Sequence, residues 1–287
     1  MNSLIMVLFV AFLGGALPVF MKITMEVIPP QTFIFLRFII AAIILVPLFL
    51  YKKEKLIGKK QFLFVAIFGY LNILFASLGI HRTSPVMSQM LYSVVPIITA
   101  VFAHFFLKTK LTKKRILGVV IGFVGVLIII IAPAIQKNQM SSGSLLGNII
   151  VSFAVLSYSV YTITSKKIQK KNSSLTVMTY LTFFILSIQI FIMPFEINNL
   201  DFISNITNKT IIALLYVGII GTSLYHFLYL NVIKTAGPVT ASLVLYLQPI
   251  FSFISAFFLL GETISLSFII GSIFALSGAY ITSSNQN

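Results

Sequence analysis

The chain has 287 residues, 59% of them apolar and only 9% charged, with a mean hydropathy of +1.07. Soluble domains carry about 25% charged residues, which excludes a water-soluble globular fold, and the lack of cysteine excludes disulfides, thiolate metal sites and a cysteine nucleophile. The net charge of +15 would suit nucleic acid in a soluble protein, but it fits basic loops on one side of a membrane, so no nucleic-acid partner is expected.

The first apolar stretch, 3–24, has no basic region before it and runs past Lys22 without a cleavage signal. It reads as a membrane helix and not as a removed signal peptide. Pro29-Pro30 opens the second, 30–51, which contains Arg37. After the basic segment Lys52 to Lys60 come 61–80 and then, past His81-Arg82, 84–107. The basic segment Lys108 to Arg115 leads into 115–133. The remaining stretches are 145–165, 174–195, 210–232, 238–260 and 264–283, with Lys166 to Lys171 and Lys234 to Gly237 among their gaps. About twenty helical residues at ~1.5 Å each cross the ~30 Å hydrocarbon core, so ten transmembrane helices are predicted.

Alternating sides at each helix sorts the basic residues. One side receives five from 52–60, five from 108–115, four from 166–171 and Lys234, fifteen in all; the other receives only Lys22, Arg82, Lys137 and Lys209. The positive-inside rule then makes both termini cytoplasmic.

The chain also repeats itself. A shift of 153 residues carries Pro85 onto Pro238, Pro96 onto Pro249, Gly118 onto Gly271 and Gly125 onto Gly278, without a gap. The repeat divides the chain into five-helix halves at 1–135 and 143–287, joined by a loop at 136–142. Five is odd, so the second half enters the membrane inverted. The charges agree: the 108–115 loop is strongly basic, whereas its counterpart at 261–268 carries only Glu262. Inverted repeats are a transporter signature, with substrate held near the midplane between the halves.

Three segments resemble the drug/metabolite transporter superfamily, and within it the ten-helix EamA type. They are FLRFIIAA at 35–42, TSPVMSQMLYSVVPIITAVFAHFFL at 83–107 and its echo AGPVTASLVLYLQPIFSFISAFFLLGE at 236–262. The resemblance covers nearly the whole chain and implies a bacterial cell-membrane location and export of a small metabolite. Lys108-Thr109 departs from the second copy's Gly261-Glu262, which weakens a functional role for that glutamate in both halves.

Candidate pathway residues come from the polar faces of the predicted helices. The fourth helix offers Ser88, Gln89, Tyr92 and Pro96, and the ninth offers Ser242, Tyr246, Gln248 and Pro249. Each of Pro96 and Pro249 lies ~16 Å beyond the proline that opens its helix, near the midplane, and frees a carbonyl there. Such carbonyls are tolerated when packed in protein or lining a wet cavity. The eighth helix adds Thr222, Tyr225, His226 and Tyr229, within reach of one face at i, i+3 and i+4; the sixth adds Tyr158 and Tyr161, and the third Asn72. His226 is the leading candidate for a proton carrier, because all five acids lie at helix ends or in loops. His104 and Lys22 lie near helix ends, and Arg37 is expected to bond carbonyls of a neighbouring helix rather than substrate. The lining so drawn is aromatic and hydroxylated, which suits an amino acid or related amphipathic solute.

The small-residue stripes Gly118, Gly122, Gly125 and Gly271, Ala275, Gly278 predict close helix packing or a homodimer. No GxxxxGKS/T loop occurs, so this chain does not hydrolyse ATP through such a motif. No HExxH, paired buried carboxylates or serine–histidine arrangement points to an enzyme, and no cofactor or metal is implied. The alternative to a secondary transporter is a membrane scaffold or regulatory subunit.

Overall fold

The computed structural model describes residues 3–54, 59–83, 85–109, 112–136, 144–196, 200–260 and 266–283. Each predicted apolar stretch is helical over most of its described residues, and no strand occurs among the described residues. The 137–142 part of the expected linker and residues 261–265, with Glu262, lie outside them. The first half comprises α1 (Ser3–Gly15), α2 (Leu17–Met25), α3 (Pro30–Tyr51), α4 (Lys59–Arg82), α5 (Pro85–Tyr92), α6 (Val95–Leu107) and α7 (Lys113–Gln136). The second begins with α8 (Leu145–Ile168), α9 (Ser174–Glu196), a short 3-10 turn at Leu200–Asn205, and α10 (Asn208–Leu215). A π-helical segment, Tyr216–Tyr225, runs into α11 (His226–Ala236), followed by α12 (Pro238–Ser242), α13 (Val244–Leu260) and α14 (Leu266–Ser283).

Among the described residues six helical runs are long and apolar enough to cross a membrane: Leu4–Met25, Pro30–Tyr51, Phe62–Arg82, Leu145–Ile168, Ser174–Glu196 and Asn208–Ala236. Val95–Leu107, Pro238–Ser252 and Ile269–Thr282 are shorter apolar helices. Polarity is arranged inside out for a soluble protein. Phe105, Phe191 and Phe195 are exposed, whereas Ser77, Thr162 and Gln189 are fully buried. This is an all-helical, multi-pass membrane protein.

Proline and left-handed backbone punctuate the helices as their chemistry requires. Pro30, Pro85 and Pro238 each occupy the first helical position, where the missing N–H has no intrahelical acceptor to lose. Lys108 ends α6 with φ of 53°, a conformation glycine adopts without strain, and the second copy has Gly261 at the equivalent place. The acid Glu196, expected at a helix end, accepts from the backbone N–H groups of Gln31 (2.7 Å) and Thr32 (3.1 Å) and caps α3. Several buried hydroxyls satisfy themselves within their helices: Thr24 donates to the Phe20 carbonyl, Thr162 to Tyr158 and Thr182 to Met178, all at 2.8–3.0 Å.

The principal packing pairs are α7 with α14, α4 with α8, α3 with α9, and α1 with α13. The α7–α14 seam is where the small-residue stripes meet. A Cβ on Gly125 would lie 2.6 Å from the Gly271 carbonyl oxygen, and one on Gly118 would lie 2.8 Å from the Thr282 nitrogen. In lipid, where apolar surface gives little drive to associate, such backbone contact is what holds helices together. The face expected to mediate a homodimer is therefore occupied by the chain's own second stripe.

Candidate functional site

A cavity of about 100 Å³ lies among the middles of these helices. The first half lines it with Gly14, Leu17, Pro18 and Met21 from α1–α2 and with Arg37 from α3. It also contributes Asn72, Ile73, Ala76 and Ile80 from α4, and Ser88, Gln89 and Tyr92 from α5. The second half contributes Tyr158 from α8, Tyr225 and His226 at the π–α11 junction, and Leu245 and Gln248 from α13. Space of this size holds several waters.

The helices are irregular where they meet the cavity. The first run breaks at Ala16, with Pro18 in the first turn of α2. The fourth breaks at Ser93–Val94, directly after Tyr92, and the ninth at Leu243, just before Leu245. The eighth is π-helical from Tyr216 to Tyr225. Its polar side chains bond carbonyls five residues back: Thr222 donates to Val217 at 2.8 Å and Ser223 to Gly218 at 3.0 Å. Gly218 and Gly221 let this wider segment approach Ile40 of α3 and Leu17 of α2. Unwound or π geometry leaves polar groups that persist in a membrane only when packed in protein or lining a cavity, and π segments concentrate at functional sites.

Eight of the fourteen sequence-derived pathway residues share this cavity: Asn72, Ser88, Gln89, Tyr92, Tyr158, Tyr225, His226 and Gln248. Asn72 donates through Nδ2 to the Tyr92 hydroxyl (2.7 Å) and to the Ala154 carbonyl (3.0 Å), tying α4 to α5 and α8. Gln248 donates to the Tyr225 hydroxyl at 3.1 Å, and the absence of a side chain at Gly14 admits both of them. His226 Nδ1 lies 2.7 Å from the Gly221 carbonyl oxygen. A carbonyl can only accept, so Nδ1 carries the proton and Nε2 is the nitrogen left to gain one.

The other six lie elsewhere. Pro96 and Pro249 are buried in the helices beyond the breaks. Ser242 bonds back to the Val239 carbonyl at 2.7 Å. Tyr246 points to α7, where its hydroxyl donates to the Val119 carbonyl at 2.9 Å and its ring covers Gly122. Tyr161 is buried against Gly69 of α4. Tyr229 is fully buried, with its ring 5.3 Å from that of Tyr158 and 6.0 Å from that of Tyr225. Its hydroxyl pairs with Thr162 at 3.1 Å. Tyr229 thus joins the cavity-lining Tyr158 and Tyr225 in one aromatic cluster, and Lys166 and Lys234 lie further along α8 and α11 than these rings.

Arg37 differs from its expected role. It is 4% exposed, and it bonds a hydroxyl, not a carbonyl: Nε donates to Thr222 at 2.8 Å. Its guanidinium carbon lies 5.3 Å from the centre of the Phe33 ring and 5.5 Å from that of Phe38, and it lines the cavity. Lys22 caps the end of α4, donating to the carbonyls of Ile80 (3.2 Å), His81 (2.8 Å) and Thr83 (3.2 Å). His104 pairs with the Thr109 carbonyl at 3.0 Å, away from the cavity.

The comparisons with known proteins agree with this architecture. A solved crystal structure matches with a TM-score of 0.76 over 98% of this chain and 96% of its own, at 14% identity, which shows a shared fold. An uncharacterized transporter of Clostridium kluyveri is 29% identical over 257 residues, covering 87% of this chain and 82% of the relative. The uncharacterized transporter YyaM of Bacillus subtilis is 28% identical over 222 residues, covering 76% and 70%. A WAT1-related protein of Arabidopsis thaliana is 26% identical over 277 residues, covering 85% and 75%. The model of the EamA-like transporter family matches residues 1–131 and 145–284, nearly all of the sequence. The chain belongs to the EamA-like transporter family, whose place in the drug/metabolite transporter superfamily its motifs at 35–42, 83–107 and 236–262 reflect.

Proposed function

We propose that this membrane transporter is a secondary exporter of a small organic metabolite, working by alternating access between two inverted five-helix repeats in a bacterial cell membrane. The repeats are residues 1–135 and 143–287, and both termini are cytoplasmic. The observation that carries the reading is the cavity itself, a mainly apolar and aromatic space with a few polar side chains set in its wall, at the middles of helices drawn from both halves. Broken helices around a midplane cavity are the common architecture of secondary transporters.

The packing pairs support a two-fold relation between the halves. Exchanging the halves turns the α1–α13 contact into the contact of α8 with α6, which also exists. The α4–α8 contact becomes that of the eighth run with α1 and α2, and the α7–α14 and α3–α9 contacts map onto themselves. A family model that matches in two blocks, 1–131 and 145–284, fits the same division. Export follows from the family resemblance, and the bacterial location from relatives such as those of Clostridium and Bacillus.

The test is flux. Purified protein in liposomes should accelerate counterflow of solutes drawn from a metabolite-export screen of an overexpressing strain. A folded protein that moves none of them would be a scaffold or regulatory subunit.

Two variants probe the mechanism. If transport is coupled to protons, His226 is the carrier, since the nearest charged or titratable groups facing it are Arg37, Tyr92, Tyr158 and Tyr225 and none is a carboxylate. His226→Gln should then abolish the response of flux to a pH gradient while leaving exchange at equal pH measurable; an unchanged response removes histidine from the mechanism. Lys22 ties α2 to the end of α4 beside the cavity residue Ile80. Lys22→Met should raise, several-fold, the rate at which an impermeant maleimide labels Ile80→Cys from outside the cell. The chain has no native cysteine to confuse the readout.

A further inference from the structure

We propose that the transported solute is a monocarboxylate anion with a small apolar body, and that Arg37 is the group that recognises its carboxylate. This rests on the transport reading above and narrows its substrate class away from amino acids. Three observations carry it.

The first is an uncompensated charge. Arginine stays protonated in proteins, and a cation in the hydrocarbon region needs a partner or water. Arg37 is buried near the middle of the fold, yet no carboxylate pairs with it among the described residues. Glu54 accepts from Thr176, and Glu196 caps α3. The second is the direction of its donors. Nε is taken by Thr222 and Nη1 faces only the Met21 sulfur at 4.0 Å, a weak acceptor, while Nη2 donates to no protein acceptor among the described residues. The two rings beside the guanidinium hold its plane without using its N–H groups. A planar fork fixed in this way is suited to a carboxylate, which accepts two parallel hydrogen bonds from it.

The third is the rest of the wall. Among the described residues no acidic side chain lines the cavity to balance an ammonium, so a zwitterion would bring an unpaired cation beside Arg37. Leu17, Ile73, Ala76 and Leu245 offer an apolar surface for a short aliphatic or branched body. Ser88 and Tyr92 add neutral hydroxyls to the same space, and a space of about 100 Å³ suits a compact solute.

A series of probes sharing one branched body and differing in charge decides the question. Isovalerate is the anion, isovaleramide its neutral isostere, valine the zwitterion and isobutylammonium the cation. Thermal stabilisation of the full-length protein in detergent should rank isovalerate first, with little effect from the other three. Arg37→Gln should weaken isovalerate binding by about 10- to 100-fold, the range for losing a charge-assisted hydrogen bond. Arg37→Lys should recover part of that loss. Preference for valine or isobutylammonium over isovalerate in the unmodified protein would overturn the assignment, whether or not the variants fold. Equal binding of isovalerate by folded Arg37→Gln would also overturn it. Flux separates the two readings: isovalerate that binds through Arg37 but is not carried refutes transport and not recognition, whereas transport of valine alone refutes recognition and not transport.

Discussion

Gly278→Val is expected to prevent the two halves from closing on each other, with a loss of at least about 3 kcal/mol, the upper end of the usual overpacking range. A Cβ at Gly278 would lie 2.5 Å from both the Gly118 carbonyl oxygen and the Gly122 Cα. Both neighbours are backbone, so no side-chain rotation relieves the clash and α14 must move away from α7. Separation would forfeit the whole seam, because the contacts of Gly118 and Gly125 depend on the same approach. The measurement is the thermal melt and the monodisperse fraction of purified protein in detergent. Gly278→Ala should fall between the two, since one methyl meets the same atoms. Ile273→Val, on the exposed side of α14, is the control and should change little. Normal stability of Gly278→Val would mean that the seam is looser than its geometry implies.

The seam illustrates what could be read in the sequence. Gly118, Gly122, Gly125 and their echoes are spaced for one helix face, and spacing alone identifies a close contact. It does not say what the face contacts, and another copy of the chain fitted the pattern as well as the other half did. Helix positions were legible for the same reason, because apolar length is a one-dimensional property.

The cavity was legible only as far as its helices stay regular. Ser88 and Tyr92 were placed on one face by i, i+4 spacing, and α5 is unbroken between them, so both line the cavity. The same spacing paired Ser242 with Tyr246, but the helix breaks at Leu243, and Tyr246 turns toward α7 instead. The π-helical segment left no mark in hydrophobic periodicity beyond Gly218 and Gly221. The α1–α2 wall was missed because Gly14, Leu17 and Pro18 carry no polar side chain to mark a pathway. The partner of Arg37 was misjudged for a different reason. Its role depends on which neighbour faces it, and Thr222 is 185 residues away in the chain.

Tyr229→Ala is expected to open the cavity toward the basic loops and turn a sealed transporter into a leaky one. Tyr229 is fully buried against the rings of Tyr158 and Tyr225, and its hydroxyl meets Thr162. Removing the ring leaves a void of roughly its own volume, and large-to-small changes of this kind cost about 3–5 kcal/mol where the site cannot collapse. Collapse is hindered here. Tyr158 and Tyr225 are anchored by the cavity wall, and Gln169 fixes α8 to α11 through the Leu230 carbonyl at 2.8 Å. The void would therefore connect the cavity with Thr162 and the region of Lys166, whose Nζ donates to the Lys234 carbonyl at 2.7 Å. In liposomes loaded with a transported solute, Tyr229→Ala should release it without external solute, whereas the unmodified protein should retain it until exchange begins. Tyr229→Phe separates the seal from the hydrogen bond. Thr162 keeps its bond to the Tyr158 carbonyl, so the phenylalanine variant should lose only about 1 kcal/mol and stay tight. If Tyr229→Ala folds and remains as tight as Tyr229→Phe, the barrier lies elsewhere, and the bonds that Gln169 and Lys166 make across α8 and α11 become the next place to open it.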